Sequence, residues 1–128
     1  MYTETNDTIS VYGDEIRRVM VYLSCPMSDG GRLSHEEQKE NIHKSIDVAQ
    51  AIFERGFVVE CPALHWYWEA RYPVNSMGKK LAMDLEIVSR CDVVFRMSGP
   101  SKGADLECQF ARDHDITVVY SLDELLTL

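Results

Sequence analysis

The segment "CDVVFRMSGPSKGADLECQFARDHDITVVY", residues 91–120, contains two continuous apolar runs separated by a helical pattern. The runs at 91–97 and 116–120 predict two strands that are buried on both faces of a sheet. Between them, residues 103–114 place apolar side chains three and four positions apart, which predicts a helix with a buried face. A strand, a helix and a second strand in this order are typical of a parallel sheet in an α/β protein.

The same alternation of strands and helices extends toward both ends of the chain. Apolar runs at 19–23 and 57–62 predict two further buried strands. Helical spacing over 34–56 and 79–90 predicts two more long helices, and a short closing helix is predicted after residue 121. The sequence therefore predicts an α/β fold whose parallel sheet has four to five strands and is covered by helices on both faces.

The size and charge of the chain limit what it can be. Its 128 residues predict one domain spanning residues 1–128, in which the polar residues 1–17 form an extension, either flexible or a short added strand. The net charge of −8 and the lack of a basic run argue against a polynucleotide partner. No apolar run approaches the roughly 20 residues that cross a membrane, and no leader pattern is present, so we expect a cytoplasmic protein.

The cysteines and histidines do not predict a metal site. Cys25, Cys61, Cys91 and Cys108 form no C-x-x-C pair, and the histidines do not cluster with them. Small buried thiols in a cytosolic protein are the interpretation we favour. We therefore expect neither a metal ion nor a cofactor.

Two carboxylates lie on helix faces that should be apolar. Asp84 shares a stripe with Leu81, and Glu107 shares one with Ala104 and Cys108. Burying an unpaired carboxylate costs on the order of several kcal/mol, so both positions need an explanation. Either residue alone could lie at the edge of its stripe and reach water, and Glu107 could interact with the start of its helix. Because both helices flank the same predicted strand, the two carboxylates together favour a shared pocket.

The loop before the helix at 103–114 allows two interpretations. Ser101 could cap the helix and Gly103 could permit a tight turn. Alternatively, free amides at the helix start could hold a small anion. The loop has neither the full P-loop pattern nor the full G-x-G-x-x-G pattern, so no nucleotide fingerprint applies.

The long connection at 63–78 carries two tryptophans, Trp66 and Trp68. Aromatic side chains in such a loop could stack on a nucleobase. They more often fill a core or a subunit interface, and we favour that interpretation.

Three segments in this order resemble the nucleoside 2-deoxyribosyltransferase-like superfamily: VYLSCPM at 21–27, DLEIVSRCDVVFRM at 84–97 and GPSKGADLE at 99–107. The resemblance covers roughly residues 18–120 and is strongest to short uncharacterised members, with a relation to nucleoside 5′-monophosphate N-glycosidases. It implies a flavodoxin-like sheet and cleavage or exchange of the N-glycosidic bond of a nucleoside or nucleoside 5′-monophosphate. It also implies a homo-oligomer, either a dimer or a tetramer.

The resemblance assigns roles to individual residues. Glu107, six positions after Ser101, corresponds to the nucleophile, and Tyr22 would position it. Asp84 would act as the acid/base near the departing base, and Ser101 would bind the sugar or a 5′-phosphate. The other substrate-binding residues that the resemblance implies are Pro26, Met27, Trp68 and Gly103.

Two departures from the superfamily pattern leave the activity open. Cys25 stands where the superfamily usually has glycine, and its side chain would narrow the pocket. The loop at 27–32 does not clearly reproduce the arginine-containing phosphate loop of the monophosphate hydrolases. The need for a 5′-phosphate and the choice between hydrolysis and transfer therefore stay open. The alternatives to an enzyme are a non-catalytic nucleotide-binding or sensing module and, last, a structural interaction domain.

Overall fold

The computed structural model describes residues 1–28, 30–73 and 77–128. Its strands are β1 Tyr2–Glu4, β2 Thr8–Val11, β3 Asp14–Arg17, β4 Met20–Ser24, β5 Val58–Glu60, β6 Val93–Arg96 and β7 Thr117–Val119. Its α-helices are α1 His35–Glu54, α2 His65–Arg71, α3 Met77–Ser89, α4 Lys102–Asp113 and α5 Leu122–Leu126, with a 3₁₀ turn at Pro62–Leu64. Within the described ranges, none of the helices has the length and apolar character needed to cross a membrane.

Four parallel strands form the central sheet, in the order β5-β4-β6-β7. In chain order these are the second, first, third and fourth parallel strands, which is the flavodoxin-like arrangement. The register pairs Tyr22 with Val94 and Ser24 with Arg96, so β4 and β6 end side by side. The predicted α/β fold with a four-stranded parallel sheet is confirmed. The reversal of strand order beside β4 marks the crevice where such sheets bind ligands.

Two apolar clusters cover the two faces of the sheet. On one face, Leu23 packs in a cluster with Ile52 of α1 and Leu125 of α5. On the other face, Tyr22 packs in a cluster with Val88 of α3 and with buried residues of α4. Because consecutive residues of a strand point to opposite faces, β4 supplies side chains to both clusters. The prediction of helices on both faces is confirmed.

The N-terminal extension forms a small sheet of its own. Strands β1, β2 and β3 pair antiparallel in chain order, where the sequence predicted a flexible start or one short strand. Tyr12 and Gly13 both have positive φ values, of 53° and 86°, which suits the tight turn between β2 and β3. Arg17 then joins this sheet to the main core: its amide donates to the Gly56 carbonyl, and its guanidinium lies 4.6 Å from the ring centre of Phe57.

Gly99 lies where the loop after β6 meets the loop after β4. Its φ is +121°, and a Cβ built there would lie 2.9 Å from Cγ of Pro26. The proline ring cannot swing aside, and a side chain rarely adopts this backbone conformation. We therefore expect Gly99→Ala to lower the free energy of unfolding by about 1–3 kcal/mol, measured by urea denaturation.

The matched control for this prediction is Gly103→Ala, in the first turn of α4. A Cβ on Gly103 would meet only Oγ of Ser101, at 4.0 Å. We expect this variant to lose no stability and to gain up to about 1 kcal/mol, since alanine is the better helix former. Equal destabilisation of both variants would contradict the role assigned to Gly99.

Candidate functional site

A cavity of about 720 Å³ opens at the carboxyl end of β4. It is walled by β4 and the loop after it, by α2 and α3, and by the start of α4. Its ionisable lining residues are Tyr22, Cys25, Arg32, Glu69, Lys80, Asp84, Lys102 and Glu107. Of the residues predicted from the sequence, those that line it are Tyr22, Met27, Asp84, Ser101, Gly103 and Glu107.

Helix α4 carries Glu107 into this cavity on the face that packs against the sheet. The residue is only 8% exposed. Its Oε2 accepts a hydrogen bond from the Tyr22 hydroxyl at 2.6 Å, and its Oε1 accepts one from the Ser24 hydroxyl at 2.8 Å. Tyr22 and Ser24 are two residues apart on β4 and so point to the same side of the sheet. The structure thus brings Tyr22 and Glu107 together and adds Ser24, which the sequence analysis did not single out.

Burial changes the pKa values of both Glu107 and Tyr22. It raises the pKa of Glu107 above the usual glutamate value, and the hydrogen bonds from Tyr22 and Ser24 oppose this rise. Burial, followed by the nearby Glu107 charge, raises the pKa of Tyr22 far above its ordinary value. The Tyr22 hydroxyl therefore keeps its proton and donates a hydrogen bond to the carboxylate. The result is a poorly solvated carboxylate with a fixed orientation, which are the properties of an activated nucleophile.

Asp84 shares the cavity but has a different partner. It is 9% exposed, and both of its carboxylate oxygens accept hydrogen bonds from Lys80 Nζ, at 3.0 and 2.9 Å. Nδ1 of His65 lies 3.8 Å from Asp84 Oδ1, which is too long for a hydrogen bond. Asp84 is therefore half of an ion pair in the cavity wall, so any acid/base work there would involve Lys80 as well.

The two tryptophans of the 63–78 connection take different positions. Trp68, predicted to bind substrate, is 58% exposed and lies outside the cavity. Trp66 lines the cavity instead, and its indole N–H donates to Oε1 of Gln38 at 3.1 Å. Residues two positions apart lie on nearly opposite faces of a helix, so α2 can present only one of the two to the cavity. From this position Trp68 does not reach a base held in the cavity.

Ser101 caps α4, which is one of the two roles that the sequence predicted for it. Its Oγ accepts a hydrogen bond from the amide of Ala104 at 3.1 Å, at the N-terminus of α4. The hydroxyl also lines the cavity, so its O–H group can still donate to a ligand. Gly103 follows in the first turn, where it is exposed and lines the same side of the cavity.

The loop after β4 contributes to the cavity unevenly. Met27 lines it, and its carbonyl is held by a 3.0 Å hydrogen bond from Nδ2 of Asn41. Pro26, predicted to bind substrate, lies outside the lining and packs against Gly99. Cys25 lines the cavity, and burial raises the pKa of its thiol to about 11. This thiol is therefore protonated at neutral pH and acts as a small wall group rather than a nucleophile.

Comparison of the chain with family models, curated proteins and solved structures finds no match. A functional proposal therefore depends on the geometry of the cavity and on the motif resemblance. The arrangement that needs a chemical explanation is a buried carboxylate with two hydroxyl donors beside a lysine–aspartate pair.

Proposed function

We propose that the protein cleaves or exchanges the N-glycosidic bond of a nucleoside or nucleoside 5′-monophosphate, with Glu107 as nucleophile. The observation that carries this proposal is the buried Glu107 carboxylate in the cavity wall, oriented by hydrogen bonds from Tyr22 and Ser24. A cavity of about 720 Å³ is large enough for a ligand of nucleoside size. The order of the motifs along the chain, which resembles that of the deoxyribosyltransferase-like superfamily, supports the same activity.

The proposed reaction needs a nucleophile at the anomeric carbon and a proton for the departing base. An oxygen of Glu107 bonds to the anomeric carbon as the carbon–nitrogen bond breaks, and the electron pair of that bond leaves with the base. The base nitrogen takes a proton from the Lys80–Asp84 pair. Water or a second base then attacks the glycosyl ester and returns a proton to that pair, which regenerates the Glu107 carboxylate.

Tyr22 and Ser24 contribute most when the ester breaks. At that moment negative charge returns to the Glu107 oxygens, and both hydroxyl groups are already aimed at them. Donors that are fixed before the charge develops stabilise a transition state without the cost of reorganising solvent.

A non-catalytic nucleotide-binding or sensing module is the second candidate. It is favoured by Cys25, whose side chain lines the cavity where the superfamily usually has glycine. Such a module would bind nucleotides saturably without cleaving them, and the bound nucleotide would raise the melting temperature of the protein.

A panel of ribonucleosides, deoxyribonucleosides and their 5′-monophosphates, analysed by chromatography for free base, distinguishes the candidates. We expect release of base from at least one compound and no release by Glu107→Ala. Saturable binding without release would favour the sensing module. Full activity in Glu107→Ala would exclude Glu107 as the nucleophile. If the protein neither binds nor cleaves any compound of the panel, both candidates are contradicted.

A further inference from the structure

Lys80 is a largely buried cation at the wall of the cavity. Its side chain is 18% exposed, and its ammonium group bonds to both oxygens of Asp84, at 2.9 and 3.0 Å. It also lies 3.6 Å from Oε1 of Glu69, another lining residue. Together these contacts place one positive charge between two carboxylates, in the cavity that also holds Glu107.

The position of Lys80 is unfavourable for the helix that carries it. It lies near the N-terminus of α3, where the helix dipole disfavours a cation. A lysine four residues before an aspartate is also the less favourable orientation of such a pair on an isolated helix. Residues that oppose local helix preferences in this way are expected mainly at functional sites. We therefore expect Lys80 to have a role in the cavity that outweighs its unfavourable position on the helix.

The positive charge of Lys80 acts on the two carboxylates of the cavity, Asp84 and Glu107. Two carboxylates in one pocket repel each other, and one of them is driven toward its protonated form. Burial already raises the pKa of Glu107, and the charge of Asp84 raises it further. The charge of Lys80 acts in the opposite direction and lowers the same pKa.

We propose a second role for Lys80, besides its part in the proton-donating pair: its ammonium group, bonded to both oxygens of Asp84, neutralises that carboxylate so that Glu107 can stay ionised in the same cavity. This inference rests on the proposed function, because only a nucleophile needs to be ionised. The lysine–aspartate pair then presents little net charge to Glu107, and it remains available as the proton store for the departing base.

Other charged or titratable groups lie near Lys80, Asp84 and Glu107, and they are left unmutated in the test. From β4, the Tyr22 hydroxyl bonds to Glu107 directly. Among the described residues, further groups of this kind are Glu69 and His65 beside the Lys80–Asp84 pair, Cys108 on α4, and Cys25, Arg32 and Lys102 in the cavity lining.

A carbon NMR titration of the glutamate carboxyl groups measures the ionisation of Glu107 without any assay of activity. The Glu107 signal is identified by its absence from the spectrum of Glu107→Gln. In Lys80→Met we expect Glu107 to protonate at a higher pH than in the wild type, and in Lys80→Arg at nearly the wild-type pH. If Lys80→Met fails to fold, Asp84→Asn tests the same coupling with the opposite sign, since Glu107 should then protonate at a lower pH.

Lys79→Met is the matched control, because Lys79 is an exposed lysine one position earlier on the same helix. We expect it to leave the titration of Glu107 close to that of the wild type. The proposal is overturned if Lys80→Met titrates like the wild type, or if Lys79→Met shifts Glu107 equally. A role of Lys80 in folding alone would lower stability without moving this titration.

The enzymatic readout separates failure of this inference from failure of the proposed function. If the wild type releases base, the acid limb of kcat/KM should move to higher pH in Lys80→Met, together with the NMR titration. If no compound is cleaved, the proposed function fails while the NMR result still reports on the Lys80–Asp84–Glu107 coupling. If base is released and neither the acid limb nor the titration moves, the inference alone fails.

Discussion

Glu107→Gln is expected to reduce base release by about 10³-fold or more while making the folded protein more stable at neutral pH. The loss follows from removing the nucleophile while keeping the shape of the side chain. The glutamine can still be accommodated, because its carbonyl accepts from one hydroxyl and its amide group donates to the oxygen of the other, at Tyr22 and Ser24. Rates of base release by wild type and variant, measured under identical conditions, test the expected loss of activity.

The gain in stability follows from the raised pKa of Glu107. A group that binds its proton more tightly in the folded state stabilises the protein fully below its unfolded pKa, and this contribution disappears as the pH rises through the folded pKa. Glutamine stays neutral throughout and avoids that loss. The melting temperature of Glu107→Gln should therefore exceed that of the wild type at about pH 8, and the difference should shrink toward about pH 4.

Glu86→Gln is the control for the charge change itself. Glu86 is paired with Arg90 on the surface of α3, with its side chain 63% exposed. Exposed pairs of this kind contribute roughly 0–1 kcal/mol, so neither activity nor stability should change much. A Glu107→Gln protein that is less stable than the wild type at neutral pH would contradict the assignment of Glu107 as a desolvated carboxylate.

Tyr22→Phe is expected to slow base release by about 10²-fold, the usual effect of deleting one donor to a developing negative charge. It keeps the ring that packs in the core and removes only the hydroxyl, which bonds to Glu107 at 2.6 Å. Because that hydrogen bond lowers the pKa of Glu107, its loss should raise this pKa further. The acid limb of the pH dependence of kcat/KM should therefore move to higher pH.

The control for this variant is Tyr72→Phe, which removes a hydroxyl from a tyrosine that is 65% exposed. It should retain both the rate and the pH dependence of the wild type. A slower Tyr22→Phe enzyme with an unmoved acid limb would mean that the Tyr22 hydroxyl acts on the substrate or on packing and does not tune Glu107.

The fold and part of the site could be predicted because they leave periodic signals in the sequence. Continuous apolar runs identified the strands of the parallel sheet, and helical spacing revealed that Asp84 and Glu107 interrupt apolar faces. The pairing of Tyr22 with Glu107 came from the motif resemblance, since the two are 85 positions apart and no periodicity connects them.

The features that the sequence did not predict depend on the orientation of each helix about its own axis and on contacts between residues that are distant in sequence. Ser24 reaches the Glu107 carboxylate only because it lies two positions after Tyr22 on β4, on the side of the sheet that α4 covers. The motif resemblance pointed to Trp68 as the substrate-binding tryptophan, but α2 presents Trp66 to the cavity and leaves Trp68 exposed. Lys80 carried no signal in the sequence, and its place in the cavity becomes visible only through its contact with the buried Asp84.

The contact between Gly99 and Pro26 has a consequence for how this cavity could be redesigned. It ties the loops after β4 and β6 to each other, so the lengths and residues of the two loops cannot be varied independently. Libraries that replace Gly99 or Pro26 would therefore lose stability before any ligand is selected. Selection for a new ligand should instead leave these two positions untouched and diversify the wall formed by α2, where Trp66 and Glu69 face the cavity.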